Sequence, residues 1–240
     1  MRVKAVISYD GSHYQGFQRQ NSTSNTITTA IENALHSLQI QTQIVGSGRT
    51  DSGVHATGQV IHFDLPPFWI DLQKLTHRLN QKLIDISFKH ISPTEDDFHA
   101  RFHAKKRVYR YLFKTTKPSV FEQSYVSHYE NFDPAMLLKA LHLFEGKHDF
   151  KFFHKTGSQN HTTIRNIYRT SYRTYRGYHM IYFEANGFLR SQVRMMVDAA
   201  MRCAQNTMNI QHLEEQLSCK RQHTTALASG NGLYLSKVIY

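Results

Sequence analysis

The sequence predicts an α+β fold in which two related halves share one largely antiparallel sheet. A strand–helix–strand order appears twice along the 240 residues, and the second half carries extra strands and helices. Hydrophobic residues make up 40% of the chain, which suffices for one sizeable core or for two closely packed halves. We expect the halves to cover residues 1–105 and 106–240.

In the first half, Val3 to Tyr9 is typical of a strand, and the turn residues Asp10 and Gly11 end it. Apolar residues recur at helical spacing within residues 26–38 and predict an amphipathic helix. The run from Gln59 to Leu65 alternates, so it is predicted to be a strand, although either of its faces could be the buried one.

The second half repeats this pattern with additions. Asp133 and Pro134 form an N-cap and first-turn pair, and Gly146 is a stop signal after the apolar residues that follow them. Arg176 and Gly177 separate two strand-like runs. In chain order, the predicted elements are a strand at 108–114, a helix after residue 133, strands at 164–175 and 178–185, a helix at 191–204 and a strand at 233–240.

The chain is strongly basic, with 29 Lys and Arg against 18 Asp and Glu and a net charge of +11. This balance predicts a polyanionic partner. Nucleic acid is favoured over a membrane, because no stretch approaches the roughly 20 apolar residues of a membrane span. Cys203 and Cys219 form no paired framework, and the N-terminal residues have no signal-peptide layout. These observations predict a cytoplasmic protein.

The segment GSGRTDSG, residues 46–53, is called the Asp51 loop below. It is not a P-loop, since it lacks Gly-Lys-Ser/Thr, and Asp51 stands where a dinucleotide fingerprint has its third glycine. One interpretation is a glycine turn in which Asp51 is a local cap. The other is a site, because three glycines let a flat ligand approach the backbone and Arg49 can hold Asp51 ionised as a nucleophile or base.

The segment FHARFHAKKRVYRY, residues 98–111, interleaves cations with aromatic residues. Cations suit phosphates and aromatic faces suit unstacked bases, so the segment predicts an RNA-binding surface. The opposing interpretation is a basic, half-buried edge strand whose aromatic residues pack in the core. His99 and His103 are four residues apart, but no HExxH and no third ligand accompany them, so we predict no metal site.

Arg190 and Arg194 are four residues apart on a predicted helix that is apolar on its other face. They could form a solvated stripe beside a core helix, or one of them could point inward and pair with a carboxylate. Val193 and Val197 flank Arg194 on nearly the same face, which favours an inward Arg194.

These residues resemble the tRNA pseudouridine synthase A family, whose enzymes isomerise uridines in the anticodon stem-loop, at positions 38 to 40 of tRNA. The match covers nearly the whole chain, and its most specific element is GRTD-x-GVHA at residues 48–56. The other matching elements follow in order along the chain: YDGSHYQGFQRQ, DDFHARFHAKKRVYRY, HDFKFF, GFLRSQVRMMV and NGLYLSKVIY.

The resemblance implies a pseudouridine synthase fold, with two ferredoxin-like halves, a shared antiparallel sheet and a central cleft. It implies that Asp51 is the catalytic aspartate, and that Arg49 contacts the tRNA and helps to expose the target nucleotide. Tyr109 would stack on the flipped uracil, and Leu233 would line the pocket beside the base. Arg194 would pair with Asp51 across the cleft.

The resemblance also implies tRNA as the partner, a homodimer, and no metal or organic cofactor. The residues predicted to bind RNA are Phe98, His99, Ala100, Arg101, Phe102, Lys105, Lys106 and Arg107. Departures from the family pattern concern substrate range and helix packing rather than the reaction class, and they include Ser191, Gln192, Met195 and Ser229. Two rival functions are an RNA-binding protein or tRNA chaperone without catalysis, and a histidine-based metallohydrolase.

Overall fold

The computed structural model describes residues 1–157 and 161–240, and within these ranges it contains ten strands and five α-helices. The chain forms two compact units, one of Met1–Lys105 with Leu235–Tyr240 and one of Lys106–Tyr234. Strand pairs within each unit are almost all antiparallel, so the predicted α+β fold with an antiparallel sheet is confirmed. None of the helices in the described ranges is both long and apolar enough to cross a membrane.

The first unit begins with strands and helices in alternation. Its elements are β1 (Arg2–Tyr9), α1 (Ile27–His36), β2 (Val45–Gly46), β3 (His55–Asp64), α2 (Leu72–Lys82) and β4 (Ile86–Pro93). Strand β1 pairs with β3 on one side and β4 on the other, and β2 pairs with β3. The two predicted strands and the predicted helix of this unit are confirmed as β1, β3 and α1. Helix α2 and strand β4 were not predicted, because α2 buries only Leu75 and Leu79 in a polar segment.

The second unit has its own antiparallel strands, in the order β5-β9-β8-β7, and a short β6 that pairs parallel to β5. Asp133 caps α3 as predicted, because its carboxylate accepts a hydrogen bond from the Ala135 N–H. The elements are β5 (Lys106–Lys114), β6 (Ser127–His128), α3 (Pro134–Leu143), β7 (Gly146–Asp149), β8 (Ile164–Tyr175), β9 (Tyr178–Ala185), α4 (Gln192–Ala204) and α5 (Ile210–Leu217). The strand pair predicted at 164–175 and 178–185 is confirmed with these bounds.

The last strand, β10 (Leu233–Ile239), belongs to both units. It begins with Leu233 and Tyr234 in the second unit, and from Leu235 onward it belongs to the first unit, where it lies beside β3. The first unit is therefore built from both ends of the chain. The division of the chain into two domains, residues 1–105 and 106–240, stays a prediction.

Strand β3 lies at the centre of the first unit and leads directly out of the Asp51 loop. The sequence left open which of its faces is buried, and the structure buries both, because residues 58–63 are all buried. On β1 only alternate residues are fully buried, among them Ala5 and Ile7. The polar residues of β3 are thus placed where each must find a partner inside the protein.

Candidate active site

The Asp51 loop runs from the end of β2 to the start of β3. Gly46 packs against Phe17, and a Cβ at this position would lie 2.4 Å from a ring carbon of Phe17. Gly53 has a left-handed backbone, with φ of +74°, and among the described residues beyond its chain neighbours no atom lies within 4 Å of its Cβ position. Gly46 is therefore needed because a side chain there would clash with Phe17. Gly53 is needed because its backbone conformation is left-handed.

Backbone and side-chain contacts hold the loop on both sides of Asp51. The hydroxyl of Thr50 lies 2.8 Å from the buried hydroxyl of Tyr9, and the Thr50 carbonyl accepts a hydrogen bond of 3.0 Å from the Phe17 N–H. The Asp51 carbonyl accepts a hydrogen bond of 3.2 Å from the Val54 N–H. The loop is therefore an ordered turn, as one interpretation expected, and this turn also leaves the side chain of Asp51 half-buried.

Arg49 and Asp51 differ in exposure although they are two residues apart. Arg49 is exposed and Asp51 is half-buried, while Thr50 between them is buried. The carboxylate is thus partly shielded from water, and the guanidinium is open to a large ligand. This arrangement suits a carboxylate that meets a substrate in a sheltered place and an arginine that meets RNA in solvent.

Two predicted substrate residues lie in the second unit. Tyr109 on β5 is 6% exposed and packs edge-to-face on Phe188, with ring centroids 5.2 Å apart. Leu233 opens β10 and is 5% exposed. Packing holds both side chains in place, and each has a small apolar surface left to offer to a ligand.

The structure distinguishes the two arginines near the start of α4. Arg190 is exposed, and its Nη1 donates a hydrogen bond of 3.4 Å to the Thr156 carbonyl. Arg194 is half-buried, and its Nε donates a hydrogen bond of 2.7 Å to the Ala228 carbonyl. The Ala228 N–H in turn donates to the Arg194 carbonyl at 3.1 Å. Arg194 is therefore the arginine that its own unit holds in position.

Residues 98–103 form a turn before β5, called the 98–103 turn below. The interpretation of a half-buried strand with aromatic residues in the core holds for residues 106–111, which lie in β5 and bury Tyr109 and Tyr111. The turn forms because the His99 Nδ1 accepts hydrogen bonds of 3.2 Å from the N–H groups of Arg101 and Phe102. The His103 Nδ1 accepts a longer one, of 3.4 Å, from the His99 N–H. These histidine nitrogens are engaged in the turn, which gives no support to a two-histidine metal site.

The exposed face of the 98–103 turn is a small stack of side chains. The rings of His99 and Phe102 stack with centroids 4.2 Å apart, and the Arg101 guanidinium lies 5.7 Å from the Phe102 ring centroid. Phe102 is 73% exposed, so one face of its ring is open to solvent. Such a surface offers a flat apolar face and a positive charge together.

Two hydrogen bonds of the Ala100 backbone, with His62 and Tyr240, hold the same turn on its inner side. The Ala100 N–H donates a hydrogen bond of 3.1 Å to the His62 Nδ1, and the Tyr240 hydroxyl donates one of 2.7 Å to the Ala100 carbonyl. The ring of Tyr240 also packs on Phe98, with centroids 5.0 Å apart. Neither His62 nor Tyr240 was predicted to matter here. The only signal in the sequence was a histidine in an otherwise apolar part of β3.

The predicted RNA-binding residues fall into two groups by exposure. Phe98, Ala100 and Arg107 are buried, and Arg107 donates a hydrogen bond of 3.0 Å from Nη1 to the Asn186 carbonyl. The others are exposed or half-buried, namely His99, Arg101, Phe102, Lys105 and Lys106. Lys106 also forms an ion pair of 3.0 Å with Glu184. Only the second group has side-chain surface that an RNA could reach.

Burial makes His62 sensitive to acid. Desolvation, together with the nearby His99, lowers the pKa of His62 from 6.5 to about 4. The unfolded chain therefore takes up a proton near pH 6.5, while the folded protein takes it up only near pH 4. The folded state must lose stability as the pH falls through this window, because the unfolded state binds more protons there.

We expect the free energy of unfolding to fall by at most about 3 kcal/mol between pH 6.5 and pH 4 through His62. Urea unfolding at several pH values measures this slope. His62→Gln, which cannot take up a proton, should show a correspondingly flatter pH dependence even if it is less stable at every pH. Parallel curves for the two proteins would contradict the prediction.

Among the described residues, the side chains of Asp10, His13 and Asp85 form a group whose ligand atoms all lie within 4.8 Å of one another, which could hold a metal ion. The His13 Nδ1 lies 3.8 Å from the Asp85 carboxylate, and the His13 ring is largely exposed. The group lies in the first unit, and Asp10 directly follows β1. The prediction that the protein needs no metal stays a prediction.

Comparisons with known proteins agree with the motifs. A family model described as tRNA pseudouridine synthase matches residues 5–103 and 140–240. A tRNA pseudouridine synthase A of Helicobacter hepaticus is 40% identical over 243 residues, which cover 99% of this chain and 98% of that protein. One from Campylobacter jejuni is 37% identical over 241 residues, covering all of both chains.

A third relative is somewhat less similar in sequence. The tRNA pseudouridine synthase A of Streptococcus gordonii is 35% identical over 247 residues, covering 100% of this chain and 98% of that protein. Among solved structures, a chain of a Cbf5-Nop10-Gar1 complex has a TM-score of 0.35 and 13% identity, over 83% of this chain and 45% of that chain, which is too weak to support any conclusion. The family model and the full-length relatives show that this chain belongs to the tRNA pseudouridine synthase family, a family of isomerases.

Proposed function

We propose that this protein isomerises uridine to pseudouridine in the anticodon stem-loop of tRNA, at positions 38 to 40, and that Asp51 is its catalytic residue. The observation that best supports this proposal is the half-buried Asp51 in an ordered loop that is anchored at Thr50 and at Val54. A rigid loop can offer one carboxylate to one atom of a substrate.

The reaction breaks the bond between C1′ and N1 of uridine, turns the base and rejoins it to the sugar through C5. The proton on C5 is released to water and N1 gains a proton, so atoms balance without oxidation or hydrolysis. The chemistry needs an anion near C1′ and a pocket that retains the detached base. Asp51 supplies the anion, either by attacking C1′ or by removing the C2′ proton, and both routes use the same carboxylate.

The other site residues would prepare the substrate and the carboxylate. Arg49 contacts the tRNA and helps to expose the target nucleotide. Tyr109 gives the flipped uracil a flat surface, and Leu233 lines the pocket beside it. Arg194 pairs with Asp51 and keeps it charged when the bound nucleotide excludes water. The buried, packed state of Tyr109 and Leu233 supports these roles, because a rigid apolar surface costs little to order on binding.

The 98–103 turn would bind the RNA backbone and an unstacked base. The His99 and Phe102 stack suits a base, while Arg101 and the neighbouring Lys105 suit phosphates. Phe98, Ala100 and Arg107, which are buried, would support the exposed residues rather than touch RNA. Because phosphate contacts release counterions, tRNA binding should weaken steeply as salt is added.

The tRNA would be bound by a homodimer in the cytoplasm, with no metal or organic cofactor. Light scattering on the purified protein measures the mass in solution and tests the dimer. Activity that survives dialysis against a chelator tests the absence of a metal, and it also tests the rival metallohydrolase. The departures at Ser191, Gln192, Met195 and Ser229 would affect which tRNAs are preferred.

The decisive experiment is release of tritium from tRNA that carries tritium at C5 of uridine. A synthase must exchange this atom, so the wild-type protein should release it, and pseudouridine should then map to the anticodon stem-loop. An RNA-binding protein or chaperone without catalysis would bind the same tRNA and release none. Pseudouridine at a different place in the tRNA would overturn the proposed position.

Substitutions of Tyr109 test the stacking role. Tyr109→Phe should keep activity within about tenfold of the wild type, whereas Tyr109→Ala should lose about 100-fold, because stacking of a base on an aromatic ring is worth about 1–3 kcal/mol. Tritium release under single-turnover conditions measures both. Equal losses in the two variants would assign the effect to the hydroxyl group instead of the ring.

A further inference from the structure

Gln59 is a fully buried polar residue on β3, and its amide contacts the start of the Asp51 loop. The Gln59 Oε1 accepts a hydrogen bond of 2.8 Å from the Ser47 hydroxyl, and the Nε2 donates one of 2.7 Å to the Gly48 carbonyl. The Ser47 N–H also donates a hydrogen bond of 2.8 Å to the Val60 carbonyl. One side chain thus holds two successive residues of the loop.

Burying an amide at this position costs free energy unless the amide is hydrogen-bonded. Gln59 is 0% exposed, and Val60 and Ile61 beside it are apolar and buried. A methionine would fill a similar volume without burying a polar group. Ser47 and Gly48 each form a hydrogen bond with this amide, and the Oε1 also accepts one of 3.2 Å from the Val60 N–H, so the donor and part of the acceptor capacity are used by the loop. The residue therefore favours one conformation of the loop over others.

The contacts of Gln59 complement those of Thr50. Gln59 holds Ser47 and Gly48, and Tyr9 and Phe17 hold Thr50. Arg49 is the residue between the two anchors, and Asp51 follows the second one. If the Gln59 amide is removed, Ser47 and Gly48 lose the side-chain hydrogen bonds that hold them, although the Ser47 N–H still donates to the Val60 carbonyl.

We propose that Gln59 is a positioning residue for the catalytic loop: its amide fixes Ser47 and Gly48, and thereby sets the direction in which Arg49 and Asp51 meet the substrate. This inference rests on the proposed role of Asp51. A shift of about 1 Å in a reacting group can cost on the order of 100-fold in rate, while binding of a large RNA depends on many other contacts. Loss of the amide should therefore affect kcat more than tRNA affinity.

The test compares Gln59→Met with Gln216→Met. Gln216 is a matched control, because it is also 0% exposed and its amide also holds backbone groups, those of Phe152 and Thr224, in the second unit. We expect Gln59→Met to lower kcat for tritium release by about 30- to 300-fold, with the Kd for tRNA within about threefold of the wild type. Gln216→Met should leave kcat within about threefold, even if it lowers the melting temperature by a similar amount.

A milder variant keeps the test sharp if Gln59→Met does not fold. Ser47→Ala removes one of the two loop contacts and should lower kcat by about 3- to 10-fold without changing the Kd. The double variant Ser47→Ala/Gln59→Met should lose no more than Gln59→Met alone, because both changes remove the same contact.

The outcomes separate this inference from the proposed function. No tritium release by the wild type would overturn the function. An active wild type with a kcat unchanged in Gln59→Met and Ser47→Ala would overturn only the inference, as would equal losses of kcat in Gln59→Met and Gln216→Met. A rise in the Kd with kcat unchanged would assign Gln59 to RNA binding and would also overturn it.

Discussion

Asp51→Ala is expected to abolish isomerisation while tRNA binding is retained. The variant removes the only carboxylate of the Asp51 loop, and the reaction has no other anion in that loop to place near C1′. We expect turnover to fall by at least on the order of 1000-fold, and the Kd for tRNA to change by less than about threefold. Tritium release and filter binding measure the two quantities on the same protein.

The neighbouring residue provides the control. Ser52 is exposed and its hydroxyl donates a hydrogen bond of 3.2 Å to the Tyr14 carbonyl, so Ser52→Ala changes the same loop without touching the carboxylate. It should stay within about threefold of the wild type. Asp51→Asn keeps the shape of the side chain without its charge and should be as inactive as Asp51→Ala. Turnover by Asp51→Asn at the wild-type rate would show that the carboxylate is not the catalytic group.

Arg194→Ala is expected to damage catalysis far more than binding. If Arg194 keeps Asp51 charged in a pocket without water, its removal leaves a carboxylate without its partner, and breaking such a pair costs about 3–5 kcal/mol. We expect kcat to fall by about 100- to 1000-fold, with a Kd for tRNA within about threefold. Single-turnover rates and filter binding separate the two effects.

Arg190 is the matched control. It lies just before α4, four residues before Arg194 in the sequence, and it is exposed. Arg190→Ala should change kcat by less than about threefold. Because Arg194 also binds the Ala228 carbonyl, the melting temperature of Arg194→Ala must be measured, and Arg194→Lys, which retains the charge, should recover part of the lost rate. A large rise in the Kd with kcat intact would instead make Arg194 an RNA contact on the surface.

The alternating and helical patterns of the sequence predicted most elements, because they reflect local geometry. The strand pair of β8 and β9 and the N-cap of α3 lay where turn and cap residues indicated them. Helix α2 and strand β4 were not found, since their buried residues are few. Their existence depends on packing against the rest of the first unit, which no short pattern contains.

For the same reason, the sequence predicted the motif residues of the candidate site but not the residues that support them. The GRTD-x-GVHA motif singled out Arg49 and Asp51, because residue type and spacing are properties of the chain. Which residues support them is a question of distant contacts. Gln59 and His62 read as ordinary polar members of an alternating strand, yet each binds backbone from another segment.

The amino-acid sequence alone was enough for the α+β class and the order of most elements, and its basic balance and motifs pointed to the synthase family. Three-dimensional contacts were needed to see that Phe98, Ala100 and Arg107 are buried while Arg101 and Phe102 are exposed. They were also needed to see that the Asp51 loop is both an ordered turn and a sheltered place for a carboxylate. Burial and hydrogen-bond partners are set by residues far apart in the chain, so they appear only once the chain has folded.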